Sequence, residues 1–120
     1  MHIEAVEERD NAWEDHGACF RVYLFSGGDQ QDWSWAVETY DVREADVLEV
    51  VQWATDQAGI DRLFAVALVV QGSEDLDPVS AQRGLVWLLG LDVNGEPINE
   101  TQISALRAMH ARRTDRRDQA

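Results

Sequence analysis

Few residues in this chain have side chains suited to catalysis, and they are scattered. Histidine stands at positions 2, 16 and 110. No two are spaced like a helical ligand pair, so a zinc site would have to be assembled wholly by the fold. Cys19 is the only cysteine, which rules out an internal disulfide. It follows His16 by three residues with Asp15 adjacent, the make-up of a thiol–imidazole pair, but it also opens a strand. A lone cysteine in a strand behaves as a small hydrophobe, and that is the expectation. Gly27-Gly28 lacks phosphate-loop spacing and is followed by Asp29, whose charge repels phosphate. With 23 acidic residues in 120, some close carboxylate pair is inevitable, so acid number alone does not point to acid–base catalysis. The expectation is no catalytic residue, no cofactor and no metal.

One segment invites a calcium reading. Asp92-Val93-Asn94-Gly95-Glu96-Pro97-Ile98-Asn99-Glu100-Thr101-Gln102-Ile103 resembles the calcium loop of EF-hand and dockerin repeats. Asp92, Asn94 and Glu96 match the first three ligands and Ile98 the apolar position. The loop departs from that pattern where calcium needs it. The glycine after the third ligand is missing, Ile98 arrives one residue early, and Gln102 stands at the place of the final acid. An Asn94-Gly95 turn followed by a helix capped by Asn99 and Gln102 accounts for the segment without an ion.

The five tryptophans are more informative. Trp35 and Trp87 lie in apolar alternation and read as core. Trp13, Trp33 and Trp53 stand beside acids or at element ends, where they are either half-buried core edges or anchors for a cationic partner.

These residues are positioned by elements organised around Leu63–Gln71, a run with no charge and strand length, read as a central strand buried on both faces. Phe64, Val66, Leu68 and Val70 make a bulky row; Leu63, Ala65, Ala67 and Val69 make a slim one, suited to close approach by the helix just upstream. Ala18–Phe25 alternates as a half-buried strand. Residues 26–32 form a loop, and Trp33–Tyr40 alternates again, with Ser34, Ala36, Glu38 and Tyr40 on one side, giving a hairpin. Asp41–Gly59 reads as a helix, with Asp41 and Glu44 in reciprocal capping positions, Gly59 as terminator and Val47, Leu48, Val51, Ala54 and Ala58 as its apolar stripe. Gly84–Leu91 is a second apolar strand, expected beside the first and buried like it. Asn99 to about Arg113 is a closing helix, with Ile103, Leu106 and Met109 on one face and its arginines fraying into solvent. Residues 2–15 fit a helix or a short edge strand.

The order is β-β-α-β-β-α. The fold class is α+β: a mostly antiparallel four- to five-stranded sheet with one helix packed on a face and a C-terminal helix, forming a single domain over residues 1–113 with an Arg-rich tail at 114–120.

All ten basic residues are arginine, and residues 1–100 carry 21 acids against five of them, a net of −16. Such a body repels nucleic acid and anionic membranes and attracts cations. No run is long and apolar enough to span a membrane, and a cytoplasmic protein is expected. The leading functional expectation is a non-catalytic module of the immunity or antitoxin kind that engages a basic protein through Glu44, Asp46, Glu49, Trp53 and Asp56, with Asp29, Asp32 and Trp33 nearby. The alternatives are a small enzyme or ligand-binding domain with a pocket lined by Trp35, Tyr23, Trp87 and one or two acids, and a homodimer joined through an uncovered strand row such as Tyr23 and Phe25.

Overall fold

The alternation of apolar residues in the first hairpin sets up the molecule. In the computed structural model, which describes residues 1–9, 17–30, 34–71 and 83–120, Phe20, Val22 and Leu24 of β1 (Cys19–Ser26) point to one face and are buried. β2 (Ala36–Val42) pairs antiparallel with β1, placing Tyr40 opposite Val22. It begins and ends later than the alternation suggests, and the expected position at Trp33 lies outside the described residues. β3 (Leu63–Gln71) pairs on the other side of β1, and β4 (Arg83–Leu89) pairs with β3. The result is a four-stranded antiparallel sheet in the order β2-β1-β3-β4. This is the α+β class and the β-β-α-β-β-α order expected.

α1 (Val47–Ala58) starts six residues later than the sequence reading. Asp46, not Asp41, is its N-cap, and Glu49 completes the reciprocal pair: the Glu49 amide donates to Asp46 Oδ1 at 2.9 Å and the Asp46 amide to Glu49 Oε1 at 3.0 Å. Asp41 is instead held in β2 by Arg21. The chain turns from strand to helix through Glu44, which has a left-handed φ of 58°. The helix buries Val50, Ala54 and Ala58. Leu48 was expected in this stripe but is 77% exposed. At 100° per residue it projects about 200° from Val50, on the far side of the helix.

The helix packs on the bulky row of β3. Val50, Ala54 and Ala58 join Phe20, Val22, Leu24, Phe64 and Val66 in the larger core. Each of the buried valine, leucine and phenylalanine side chains contributes roughly 1.5–3 kcal/mol, and each alanine methyl less. The slim row has a different covering from the one expected. Ala65 and Ala67 are fully buried, Ala65 in a cluster with Met109 of the C-terminal helix and Ala67 between Arg21 and Trp87 of the neighbouring strands. Tyr23 packs against Trp87 with ring centroids 5.0 Å apart and planes tilted by 43°. Arg83 extends across the sheet past Cys19 to Asp41, which it shares with Arg21. Small residues in β3 leave room for that lid.

β4 adjoins β3 as expected, but among the described residues it is an edge strand and mostly exposed: Val86 is 50%, Leu88 46% and Trp87 38% accessible. A register shift at Val66/Ala67 sets Leu89 opposite Val66 and Trp87 opposite Ala67, so Leu88 is the extra residue of a bulge. Leu91, expected in the strand, lies beyond Gly90, whose φ of 80° turns the chain. A side chain on Gly90 would run into Met109.

α2 (Glu100–Asp118) closes the fold. Met109 is buried with Phe25, Leu63 and Ala65 in the second core, Leu106 is half-buried, and Ile103 is 36% exposed. The helix runs five residues past Arg113, where fraying was expected. The cause is a set of guanidinium contacts with the α1–β3 turn. Arg116 donates to the Gly59 and Arg62 carbonyls and Arg117 to that of Ile60, each at 2.6 Å. Residues 1–9 form neither helix nor strand, and Ile3 and Val6 stay 79% and 69% exposed.

Candidate partner-binding surface

α1 places Asp46, Glu49, Trp53 and Asp56 at spacings of three, four and three residues, along one stripe bordering the buried one. Two of these acids also serve the fold, since the oxygens of Asp46 and Glu49 accept the capping amides. Asp56 accepts a hydrogen bond from Gln52 at 3.0 Å. Glu44 is exposed just before the helix. Trp53 is half-buried, and its ring meets that of Tyr40 edge-on, with centroids 5.4 Å apart. Tyr40 is 42% exposed, and its hydroxyl donates to Glu38 at 2.9 Å, which raises its pKa. Glu38 also lies 3.6 Å from Arg62. The strip is thus an aromatic pair flanked by carboxylates of α1 and β2.

Glu38 and Tyr40 were absent from the expected site. Alternation had put them on one row of the second strand; what it could not supply was that this row lies beside Trp53. Asp29 belongs elsewhere. Its carboxylate accepts two bonds from the buried Arg113 guanidinium, at 2.7 and 3.1 Å, which pushes its pKa below the usual carboxylate range. Arg113 also reaches the Asp61 carbonyl and sits 5.7 Å from the Trp35 ring. Asp32 and Trp33 lie outside the described residues.

The aromatics of the enzyme alternative pack along the slim face of the sheet, Tyr23 and Trp35 both against the second core and Trp87 against Tyr23. Trp35 is half-buried against His110 and Arg113, lying so close over Gly28 that a Cβ there would overlap its indole. Tyr23 packs against Trp87. Trp87 lines a cavity of about 520 Å³ walled by Leu88, Leu91, Ala105 and the carboxylate-bearing Asp92 and Glu96. Among the described residues this lining holds no histidine, cysteine or arginine.

The calcium-like segment spends its polar groups on structure. Asn94 accepts from the Trp35 amide at 2.9 Å and donates to the Trp35 carbonyl at 3.0 Å, binding this loop to the start of β2. Asp92 accepts from the Asn94 amide, Gln102 from that of Ile98, and Asn99 caps α2 by accepting from Gln102. Among the described residues no cluster of three or more His, Cys, Asp or Glu side chains is arranged to hold a metal ion, and no helix is long and apolar enough to cross a membrane.

No family model, curated protein or solved structure gives a significant match to the chain. The function must be argued from its own residues.

Proposed function

We propose that this chain is a non-catalytic binding module of the inhibitor kind, whose acidic strip on α1 and β2 engages a basic protein. The observation that carries this is the Tyr40–Trp53 pair set among Glu38, Glu49 and Asp56. Aromatic rings beside carboxylates suit arginine and lysine side chains: the carboxylates take the charge, and the ring faces take the planar or aliphatic part. The net charge of −13 steers such a partner towards the body.

The test begins with a partner captured from the source cell and purified. Association should slow as salt rises, because screening shortens the Debye length from roughly 30 Å at 0.01 M to 8 Å at 0.15 M. The double variant Glu49→Gln, Asp56→Asn retains the capping oxygen of residue 49 and removes two charges, so it should lower the on-rate with little change in stability. Trp53→Ala should raise the off-rate. Salt-independent association with an unchanged on-rate in the double variant would mean that the acids only confer solubility.

A further inference from the structure

We infer that the cavity between β4 and the start of α2 is a binding site for a small organic cation, an ammonium carried on a compact apolar body. The site is independent of the acidic strip, which lies on α1 and the opposite edge of the sheet.

The walls of this space come from three parts of the chain. Trp87 and Leu88 belong to β4, Leu91, Asp92 and Glu96 follow the turn at Gly90, and Ala105 comes from the second turn of α2. Ala105 keeps the space open by having little side chain to fill it. The volume of about 520 Å³ falls within the range of roughly 300–1,000 Å³ typical of small-molecule sites. Trp87 packs against Tyr23 but stays 38% exposed, so part of its surface is free to meet a ligand.

The chemistry of the lining selects the occupant. Several carboxylates of this chain are met by arginine: Asp29 by Arg113, Asp41 by Arg21 and Arg83, and Glu38 by Arg62. Among the described residues Asp92 and Glu96 have no such partner, and no basic residue lines the cavity. One oxygen of Asp92 accepts the Asn94 amide, which leaves the other, with both oxygens of Glu96, to take a cation. An ammonium ion set between carboxylates and an indole gains from both, and tryptophan is the best of the aromatic rings for this contact. Leu88, Leu91 and Ala105 supply the surface for an apolar body. A bare metal ion would leave that surface unused, and among the described residues it finds no cluster of three ligating side chains. An anion fits no better: Glu100 stands in the first turn of α2, and the Gln102 amide is already taken by Asn99.

The experiment is a titration of the full isotope-labelled chain with phenethylammonium chloride at constant ionic strength, followed by the indole N–H signals in two-dimensional NMR. The expected result is a saturable shift of the Trp87 signal, assigned through Trp87→Phe, with a dissociation constant of about 1 mM or lower. Phenethyl alcohol, which lacks the charge, and hydrocinnamate, which reverses it, should each bind at least about tenfold more weakly. Asp92→Asn with Glu96→Gln keeps the size of both side chains and the acceptor for the Asn94 amide, and should weaken binding by about tenfold or more. Ala105→Leu fills the cavity and should abolish binding. Asp115→Asn with Asp118→Asn removes two exposed charges at the far end of α2, about 15 Å or more from Ala105 along the helix axis. That is beyond the Debye length of about 8 Å at 0.15 M salt, so the constant should stay within about twofold. A Trp87 signal that does not saturate at about ten times the expected constant overturns the proposal. So does an alcohol or acid that binds as tightly as the amine, equal weakening by the two charge-removing pairs, or binding that survives Ala105→Leu.

Discussion

The two helices close the same sheet by different physics. α1 buries Val50, Ala54 and Ala58 in an eight-residue apolar core and is capped by its own Asp46 and Glu49. α2 is longer, yet its buried residues are Met109 and an arginine. What holds its C-terminal half is guanidinium chemistry: Arg113 on Asp29, Arg116 and Arg117 on the turn carbonyls, and Arg112 and Arg116 over the Phe64 ring at 5.7 and 5.3 Å. Among the described residues Arg112 Nε and Nη2 are buried without a hydrogen-bond partner, and desolvation lowers the pKa of that group. The attachment of α2 therefore depends on charge and on directed hydrogen bonds, whereas that of α1 depends on shape and apolar area.

Substitutions can separate the two. Leu24→Ala empties part of the α1 core and should cost about 3–5 kcal/mol, as cavity-forming changes do, with loss of the whole cooperative unit in a denaturant titration. Arg113→Met keeps the aliphatic stem but strands Asp29. Because Asp29 is half-exposed and water can take over its hydrogen bonds, the cost should be smaller, about 1–3 kcal/mol. Near-equal costs for the two changes would break the distinction. Asp46→Ala removes only the α1 cap and should cost about 1 kcal/mol, read as a shift in the urea midpoint at constant slope.

Mild acid should act first on the side of α2. His110 lies against Arg113 and Trp35, and its pKa is lowered first by desolvation and then by the Arg113 charge. A histidine whose folded pKa lies below its unfolded value of about 6.5 binds fewer protons when folded, so stability is lost as pH falls below that value. His110→Gln should flatten the stability–pH curve there. The carboxylates respond in a lower window. Asp41 is held at about 2 by Arg21 and Arg83, and Asp29 is depressed by Arg113. Their contributions, complete above about pH 4, are lost as pH falls through their folded values. An unchanged curve in His110→Gln would show that the histidine has no part in α2's acid response.

Features set by neighbours in the chain were legible in the sequence. The alternation of Phe20, Val22 and Leu24 gave β1, the uncharged run gave β3, and Asn99 with Gln102 gave the start of α2. Features that depend on distant partners were not. Asp41-x-x-Glu44 and Asp46-x-x-Glu49 satisfy the same capping pattern; the choice between them is made by Arg21, which holds Asp41 in the sheet. A strand apolar on both faces reads as buried, and nothing local in Gly84–Leu91 says that it is the edge. Asp29 and Arg113 are 84 residues apart, so their pairing left no periodic trace, and without it the terminal arginines read as a loose tail. The candidate strip was half visible for the same reason: Trp53 and the α1 acids share a helix, while Glu38 and Tyr40 join them only through the sheet.

The grip of α2 on the turn before β3 also bears on how the molecule is made. Synthesis runs from the N-terminus, so all four strands and α1 leave the ribosome before Arg113, Arg116 and Arg117 do. At about 5–20 residues per second, the carbonyls of Gly59, Ile60 and Arg62 and the apolar side chains of Phe25 and Ala65 wait a few seconds for their partners. A nascent chain cut short within α2 would display them as a mark of incompleteness, open to chaperones and proteases until the arginines arrive.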